Sequence, residues 1–332
     1  MKRVWLNHWF STAYNIVKLI KENESNIWLI GSNENEHSVY RSVCDEWYVE
    51  PVLKEAEYVE YCLSFCKEHN VDLFLPRRGM VAISKNKERF DAIGTTVMVE
   101  NSELMDMLND KAKSYEFFRQ YEWANVPEYH IVTDVAHFKR AYEDLVSKYK
   151  HVCFKFVHDE GGKSYRLIDN NRKGYTALFK KQSTRMTYDE VIIALSEREK
   201  FSPIMVMPYL PDEEVSVDCL RTEKGIIMLP RIKDATRVEK VRYDKIILDK
   251  CKKVFETIDL QCPCNIQFKY LEGKPYFLEI NTRMSGGIQM ACLASGVNIP
   301  NIAVNKFLGI DKFWTCSEKE VCISHVEIPV IV

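Results

Sequence analysis

The chain has 332 residues, of which 46% are hydrophobic and 12% aromatic, so it can build two or three lobes with apolar cores and is not a disordered chain. Its 46 lysines and arginines are nearly balanced by 48 aspartates and glutamates, and a net charge of −2 disfavours a general nucleic-acid binder. No apolar run approaches the roughly 20 residues needed to span a bilayer. The N-terminal segment lacks the apolar stretch of a signal peptide, so we expect a cytoplasmic protein without a membrane or nucleic-acid partner.

The eleven cysteines are scattered along the chain, and several lie inside apolar segments. An odd count in a chain of this length favours reduced core thiols over a disulfide framework. The close pairs are Cys62 with Cys66 and Cys262 with Cys264. Neither has a second cysteine or histidine pair at zinc spacing, which disfavours a structural zinc site.

Short apolar segments alternate with amphipathic segments over residues 1–105, which predicts a Rossmann-like α/β domain. The apolar segments are of the kind that parallel sheets bury, and the segments between them carry apolar residues at three- and four-residue spacing. No G-x-G-x-x-G follows the first strand, which disfavours an NAD(P)-binding protein. Strands are predicted at 3–7, 26–31 and 71–76, and helices at 12–22 and 55–70.

The rest of the chain begins with a helical segment at 101–121, which bridges to further predicted strands. Residues 151–157 and 165–168 read as strands on either side of the glycine-containing loop 158–164. The segment 204–210 is another apolar strand, and it leads into an extended connection. No Gly/Ser-rich linker separates these parts, so we expect closely packed lobes.

Near the C-terminal end, residues 264–270 and 275–281 alternate apolar and polar side chains and predict a β-hairpin. A three-residue loop over 272–274 would contain a glycine for the conformation with positive φ. This loop would place Gln267 directly opposite Glu279. A register shifted by one residue would mix the polar and apolar faces, which the parity of a sheet disfavours.

The polar face of this predicted hairpin suits a magnesium ion and phosphate. Gln267, Glu279 and Asn281 carry the carboxylate and amide oxygens that Mg²⁺ accepts as ligands. Arg283 lies two residues further along and would point the same way, toward a phosphoryl group. The glycines in 285–287 allow a close approach of the backbone to a ligand. The alternative is a solvated hairpin whose outer face is polar without binding anything.

The segment 264–287 resembles the metal-binding hairpin of ATP-grasp enzymes, in particular the branch typified by carbamoyl phosphate synthase. In that family a glutamine, or more often an acid, on one strand faces a glutamate, and the pattern continues as E-x-N-x-R. The resemblance implies that Gln267, Glu279 and Asn281 bind Mg²⁺, or Mn²⁺ in its place, on the phosphates of ATP. It also implies that Arg283 contacts the γ-phosphate.

Other segments match the same family in the expected order along the chain. Each has a structural alternative: a lysine that reaches solvent at a strand edge, an ordinary glycine turn, or a polar strand face. Order and spacing together favour a nucleotide site. The resemblance implies phosphate contacts from Lys111, Lys155, Gly161 and Gly162, adenine contacts from the backbone near Met207, Tyr209 and Leu210, and ribose contacts from Glu214.

Arg231 opens a basic segment, 231–242, that precedes the hairpin. A basic run is usually a solvated face. Its place before the hairpin nevertheless favours a contact between Arg231 and a phosphate or a substrate. Arg231, Asn281 and Arg283 are therefore our candidate catalytic residues.

The resemblance also implies an α/β architecture with an α+β lid. An N-terminal Rossmann-like pre-ATP-grasp domain at 1–105 would be followed by a two-lobed ATP-grasp domain at 106–310. The lid would cover about 120–206 and the catalytic lobe about 207–310. Residues 311–332 would form a C-terminal strand segment that packs on the catalytic lobe.

The function implied is that of an ADP-forming ligase with ATP and Mg²⁺ as cofactors. A substrate carboxylate would attack the γ-phosphate of ATP, and an amine or a thiol would then displace phosphate from the acylphosphate. The expected partners are small-molecule carboxylates, such as an amino acid, and amines, and the chain itself could form a homodimer. An ATP-binding regulatory or partner subunit without turnover is the alternative.

Overall fold

The computed structural model describes residues 1–7, 11–158, 162–172, 175, 184–233 and 238–332. The chain divides into two compact units. The first unit comprises Met1–Asp106, Glu213–Gln267 and Ile280–Val332, and the second comprises Met107–Asp212 and Phe268–Glu279.

Within the described residues the chain forms sixteen β-strands and eleven α-helices, with a 3₁₀ helix at Val39–Val43. The strands are β1 (Lys2–Asn7), β2 (Ile27–Asn33), β3 (Glu46–Val49), β4 (Leu73–Leu75), β5 (Thr96–Val97), β6 (His130–Val132), β7 (Val152–Phe156), β8 (Arg166–Ile168), β9 (Arg185–Met186), β10 (Ile204–Pro208), β11 (Glu214–Thr222), β12 (Gly225–Lys233), β13 (Val238–Val241), β14 (Cys264–Leu271), β15 (Lys274–Asn281) and β16 (Val321–Ser324). The helices are α1 (Ala13–Lys21), α2 (Glu55–Glu68), α3 (Met80–Lys85), α4 (Lys87–Ala92), α5 (Ser102–Asn109), α6 (Lys111–Arg119), α7 (Val135–Val146), α8 (Tyr188–Ser196), α9 (Lys245–Thr257), α10 (Ile288–Ser295) and α11 (Ile299–Phe307).

The first unit contains an all-parallel sheet in the order β3-β2-β1-β4-β5. The predicted strands at 3–7, 26–31 and 71–76 are confirmed as β1, β2 and β4. The sequence did not predict β3 or β5, because strands of four and two residues are too short to show a period. Trp5 stacks on Phe74 with ring centroids 4.1 Å apart, which ties the two central strands together on one face.

Helix α1 lies in the core that joins this parallel sheet to the C-terminal part of the first unit. Ala13, Ile16, Val17 and Ile20 form its buried stripe at helical spacing. They share one apolar cluster with residues of β12, α10 and α11 such as Leu229. The domain division predicted from the sequence stays a prediction, because shared packing does not define where a domain begins.

The third sheet of the chain has the order β15-β14-β11-β12-β13-β16. The pairs β11–β12, β12–β13 and β13–β16 are antiparallel, and β11 lies against β12 with Ser216 opposite Arg231 and Asp218 opposite Leu229. The C-terminal strand β16 pairs with β13. The hairpin of β14 and β15 contributes to both units, since Phe268–Glu279 belongs to the second.

The predicted three-residue loop of this hairpin is wrong. The turn has two residues, Glu272 and Gly273, and both have positive φ, at 52° and 75°. Such a turn matches the right-handed twist of the flanking strands. It brings Phe268 next to Phe277, whose buried rings lie 6.2 Å apart, in place of the predicted partner Leu278. The predicted placement of Gln267 directly opposite Glu279 required the three-residue loop and loses its basis with it.

Burial along β15 nevertheless recovers the predicted alternation at its C-terminal end. Phe277 is buried, Leu278 and Glu279 are both half-buried, and Ile280 is buried again. Two half-buried residues in succession therefore interrupt the strict alternation of burial at this point. Asn281 follows as a half-buried residue, so the polar residues Glu279 and Asn281 are less buried than Ile280 between them.

The second unit contains the sheet β6-β10-β7-β8-β9, which is antiparallel except between β8 and β9. Its core includes Phe138 and Leu145 of α7, Phe154 of β7 and Val206 of β10. The segment 101–121 was predicted as a single helical stretch, whereas the structure has two helices there, α5 and α6, with Asp110 between them. In the part of the chain that is described, no helix is both long and apolar enough to cross a membrane.

Glu100 is a buried carboxylate of the first unit with a pH-dependent contribution to stability. One of its oxygens accepts hydrogen bonds from the backbone N–H groups of Gln261 and Cys262, at 2.8 and 2.6 Å. Burial raises the pKa of the Glu100 carboxyl, and the two hydrogen bonds offset this only in part. Because the folded state then binds the proton more tightly than the unfolded chain, stability is lost as pH rises through the folded pKa.

We expect Glu100→Gln to melt at a higher temperature than the wild type at pH 7.5. Glutamine keeps the accepting oxygen and removes the buried charge. The difference should shrink toward about pH 4, where the wild-type carboxyl becomes protonated. Melting temperatures from pH 4 to 8 test this, with exposed Glu103→Gln as the control. A difference that is the same at every pH would contradict the assignment.

Candidate active site

Helix α6 of the second unit begins with Lys111, one of the predicted phosphate contacts. Asp110 caps the helix by accepting from the N–H groups of Ala112 and Lys113, at 2.9 and 3.0 Å. The Lys111 side chain is 9% exposed, and its Nζ lies 3.9 Å from Oε2 of Glu279. The structure therefore brings together a predicted phosphate contact and a predicted metal ligand from distant parts of the sequence.

Two buried hydroxyls lie on the same helix as Lys111, three and four residues later. Within the described residues, Ser114 Oγ and Tyr115 Oη have no hydrogen-bond partner. Burial raises the pKa of Tyr115, and the negative charge of Glu279 raises it further. A buried polar atom without a partner is costly. These hydroxyls could not be identified from the sequence, because a serine and a tyrosine are common in an amphipathic helix.

The predicted phosphate loop lies between β7 and β8. Lys155 is half-buried in β7, opposite Met205 of β10. The N–H of Phe156 donates to Ser164 Oγ at 2.9 Å, and Gly162 has a φ of +65°, a conformation that favours glycine. Gly161 lies outside the described residues.

The predicted adenine segment follows β10. Met207 and Leu210 are buried, at 4% and 3% exposure, and the N–H of Tyr209 donates to the carbonyl of His151 at 2.9 Å. That N–H is therefore already bonded within the protein, which leaves other backbone groups of the segment for the predicted adenine contact.

In the first unit, the predicted ribose contact Glu214 forms an ion pair with Lys233. The two side chains lie 2.8 Å apart across β11 and β12 and are 27% and 36% exposed. A contact between Glu214 and a ribose stays a prediction, and it would compete with this ion pair.

Arg231 is a buried cation of the first unit, with 1% exposure. It lies at the centre of a network of hydrogen-bonded polar side chains. Its Nε and Nη2 donate to Asp218 Oδ2 at 3.1 and 3.0 Å, Nη2 also donates to Ser285 Oγ at 3.0 Å, and Nη1 donates to Glu239. Burial alone lowers the pKa of the guanidinium, but Asp218 and Glu239 outweigh it and hold that pKa above its usual value. Since the guanidinium is occupied by protein acceptors, its burial does not favour the predicted contact with phosphate or substrate.

The network continues from Asp218 to Gln267, a predicted metal ligand. Asn265 donates from Nδ2 to Asp218 Oδ1 at 2.8 Å. Its Oδ1 accepts from Ser216 Oγ and from Gln267 Nε2, both at 3.0 Å. Ser216, Asp218 and Asn265 are at most 1% exposed. Both faces of β11 are buried over 215–220, so Ser216 and Asp218 do not lie on a solvated strand face.

A small apolar cleft of about 10 Å³, with room for about one water molecule, lies in the first unit at the carboxyl end of β4. Ligands of α/β sheets usually bind at this end. Arg283 is the charged group of the cleft wall, and it donates to the carbonyl of Met284 at 3.2 Å. The apolar wall is formed by residues such as Leu75, Pro76, Met80, Met98, Pro263 and Met284.

A family model described as "ATP-grasp in the biosynthetic pathway with Ter operon" matches residues 200–327. The large chain of carbamoyl phosphate synthase from Clostridium perfringens is 27% identical over 150 residues, which cover 39% of this chain and 14% of the relative. The large chain from Clostridium botulinum is 24% identical over 326 residues, covering 88% of this chain and 27% of the relative. The chain thus spans well under a third of the length of these curated relatives.

Solved structures with the same fold cover nearly the whole chain. The biotin carboxylase domain of 2-oxoglutarate carboxylase from Hydrogenobacter thermophilus, a dimer in complex with MgADP, ADP and bicarbonate, has a TM-score of 0.67 at 17% identity, over 95% of this chain and 71% of that one. The L-amino acid ligase from Bacillus licheniformis has a TM-score of 0.67 at 12% identity, over 92% and 74%. The chain has the ATP-grasp fold. The predicted α/β fold class with a two-lobed ATP-grasp domain is confirmed.

The chemistry of the predicted site residues suits a magnesium nucleotide. Lys111 supplies a buried positive charge beside the carboxylate of Glu279, and the hydroxyls of Ser114 and Tyr115 are without partners among the described residues. The nitrogen of the Gln267 amide is used within the protein, which leaves the oxygen as the ligand atom. Amide and carboxylate oxygens are ligands that Mg²⁺ accepts.

Another cluster of metal-ligating side chains, Glu128, His130 and Asp144, lies in the second unit of the ATP-grasp fold. The ammonium group of Lys148 bonds to Glu128 at 2.6 Å and to Asp144 at 3.0 Å. A positive charge is therefore already present at this cluster, and we assign no metal to it.

Gly287 is required for the close packing of Arg231. A Cβ added at Gly287 would lie 2.7 Å from Arg231 Cζ, and this guanidinium is fixed by its acidic partners. A Cβ at Gly286 would meet only a methyl group of Thr12, at the ordinary distance of 3.8 Å.

We expect Gly287→Ala to lower the free energy of unfolding by about 1–3 kcal/mol, since overpacking displaces a fixed group. The matched variant Gly286→Ala should change it by less than about 0.5 kcal/mol. Chemical denaturation of both variants and the wild type measures the difference. Equal effects of the two substitutions would contradict a specific contact with Arg231.

Proposed function

We propose that the protein is an ADP-forming ligase that joins a carboxylate to an amine, or to a thiol, through an acylphosphate. The observation that carries this proposal is the placement of the buried Lys111 ammonium group 3.9 Å from Glu279. These residues come from two segments that the ATP-grasp resemblance assigns to phosphate and metal binding. The match to the ATP-grasp family model and the ligases among the structural neighbours support the same reaction class.

In this proposal ATP and Mg²⁺ are bound by the residues predicted from the sequence. Gln267, Glu279 and Asn281 hold Mg²⁺, which when bound neutralises charge on the phosphate oxygens. Lys111, Lys155, Gly161 and Gly162 contact the phosphates, Met207, Tyr209 and Leu210 the adenine, and Glu214 the ribose. The protein contributes position and charge, because the transition state spreads negative charge over the transferred phosphoryl group.

The reaction then proceeds in two displacements. A carboxylate oxygen of the acid substrate attacks the γ-phosphorus, and the bond from that phosphorus to the bridging oxygen of ADP breaks. The amine next attacks the acyl carbon, loses a proton and displaces inorganic phosphate. Arg283 is suited to hold the γ-phosphate and the acid carboxylate, since a guanidinium binds both groups with paired hydrogen bonds.

The apolar cleft beside Arg283 supports an acid substrate with an apolar portion. Its wall is formed largely by methionine, leucine and proline side chains, and Arg283 lines the same cleft. Methionine side chains adapt to ligands of different shape. An amino acid or a small carboxylate with an apolar group beside its carboxylate therefore suits this apolar wall better than a highly charged acid.

The ligase acts on small molecules in this proposal, and its cytoplasmic location and homodimer formation stay predictions. The biotin carboxylase domain from Hydrogenobacter thermophilus was crystallised as a dimer, which supports testing the homodimer. The second candidate function is an ATP-binding regulatory subunit without turnover. It is favoured by the saturation of Arg231, a predicted catalytic residue, by protein acceptors.

We expect Glu279→Ala to reduce ADP release by about a hundredfold or more, because the variant loses the only carboxylate among the proposed metal ligands. The assay measures ADP and phosphate released from MgATP with amino acids and small carboxylates, each alone and paired with amines or thiols. Lys274→Ala is the matched control, since Lys274 is exposed on the same strand. Its rate should stay within about twofold of the wild type.

Each outcome of this assay distinguishes the candidate functions. Release that requires an acid and an amine together, and is lost in Glu279→Ala, supports the ligase. Tight ATP binding without release in any mixture favours the regulatory subunit. Release that is unchanged in Glu279→Ala contradicts the proposed metal site.

A further inference from the structure

Asp218, Asn265 and Gln267 form a row of hydrogen-bonded side chains. In this row each amide nitrogen donates toward Asp218, so the row has a fixed direction. We propose that Asp218 and Asn265 are positioning residues that orient the amide of Gln267 so that its oxygen faces the metal ion. The inference rests on the proposed function, because Gln267 is there a magnesium ligand. It concerns residues of the first unit alone.

The direction begins at Asp218, whose carboxylate can only accept hydrogen bonds. Its Oδ2 accepts from Nε and Nη2 of Arg231, and its Oδ1 accepts from Asn265 Nδ2 at 2.8 Å. Asn265 must therefore turn its nitrogen toward Asp218. A reversed Asn265 would place its oxygen against a carboxylate oxygen at a site without exposure to water.

The orientation of Asn265 then determines that of Gln267. Since the Asn265 nitrogen faces Asp218, its Oδ1 faces the other way and accepts from Gln267 Nε2 at 3.0 Å. Ser216 Oγ donates to the same oxygen at 3.0 Å. With its nitrogen used in this way, Gln267 presents Oε1 on its free side, and an amide oxygen is a ligand for Mg²⁺ whereas an amide nitrogen is not.

This row also explains why a glutamine suits position 267 in this chain. A glutamate there has no hydrogen to donate, and one of its oxygens would face Asn265 Oδ1. The direction of the row would have to be reversed to accommodate an acid. Asp218→Asn permits that reversal, because the new amide can accept from Arg231 and donate to Asn265.

The test is the affinity for Mn²⁺ of the complex with β,γ-imido-ATP, followed by the electron paramagnetic resonance of free Mn²⁺. Four proteins are compared: the wild type, Gln267→Glu, Asp218→Asn and the double variant. Each single variant should bind Mn²⁺ about tenfold more weakly, the usual effect of disturbing the partner of a metal ligand. The double variant should return to within about threefold of the wild type.

The sign of the effect separates a positioning role from a merely structural one. Replacing Gln267 by Glu should weaken Mn²⁺ binding when residue 218 is aspartate and strengthen it when residue 218 is asparagine. A structural role would give losses that add in the double variant, and equal effects in both backgrounds would overturn the inference. Absence of Mn²⁺ binding by the wild-type complex would instead overturn the proposed function, and the inference with it.

A second comparison serves if Asp218→Asn does not fold. Asn265→Leu removes the oxygen that faces residue 267, so Gln267→Glu should no longer weaken Mn²⁺ binding in that background. Ser216→Ala is the matched control, since it removes another hydrogen bond to Asn265 and leaves the oxygen in place. In the Ser216→Ala background the loss caused by Gln267→Glu should persist at about tenfold. Equal losses in the two backgrounds would overturn the inference.

Discussion

The buried charge of Arg231 constrains the polar part of the first unit. Removing a guanidinium from water costs several kcal/mol unless acidic groups surround it in good geometry. Asp218 and Glu239 provide those groups, so the strands that carry them are held against β12. The same requirement leaves one oxygen of Asp218 for Asn265, and it leaves room for nothing larger than a hydrogen at Gly287. Arg231 is thus connected to Gln267, a predicted metal ligand, through Asp218 and Asn265.

The second unit positions its share of the predicted site by apolar packing. Phe118 of α6 packs against Phe277 of β15 with ring centroids 4.7 Å apart, and Tyr115 packs against the same ring from an edge. These contacts fix α6 beside the strand that carries Glu279. Lys111 Nζ is thereby held 3.9 Å from Glu279 Oε2. Aromatic contacts of this kind stabilise through buried area as well as ring geometry.

The sequence predicted the elements of this fold better than the contacts between them. Alternation and helical spacing identified β1, β2, β4 and the hairpin, because those patterns depend on the chain alone. The two-residue turn at Glu272 and Gly273 and the interrupted alternation of burial at Leu278 escaped prediction, since both depend on how two strands twist against each other. Asp218 and Asn265 were visible only as polar residues on strands. Their burial and pairing follow from a neighbouring strand that local sequence does not specify.

The charges around the predicted metal site favour a metal ion that arrives together with ATP. The first unit already holds Arg231 with two carboxylates, Asp218 and Glu239, so another acid at position 267 would add uncompensated negative charge. A glutamine of fixed orientation supplies an oxygen without that charge, and Glu279 is then the single carboxylate among the three proposed ligands. Mg²⁺ bound through one or two carboxylates completes its shell with waters and phosphate oxygens. If the three residues are the ligands, the ion is therefore expected to arrive together with ATP, whose phosphates complete its shell.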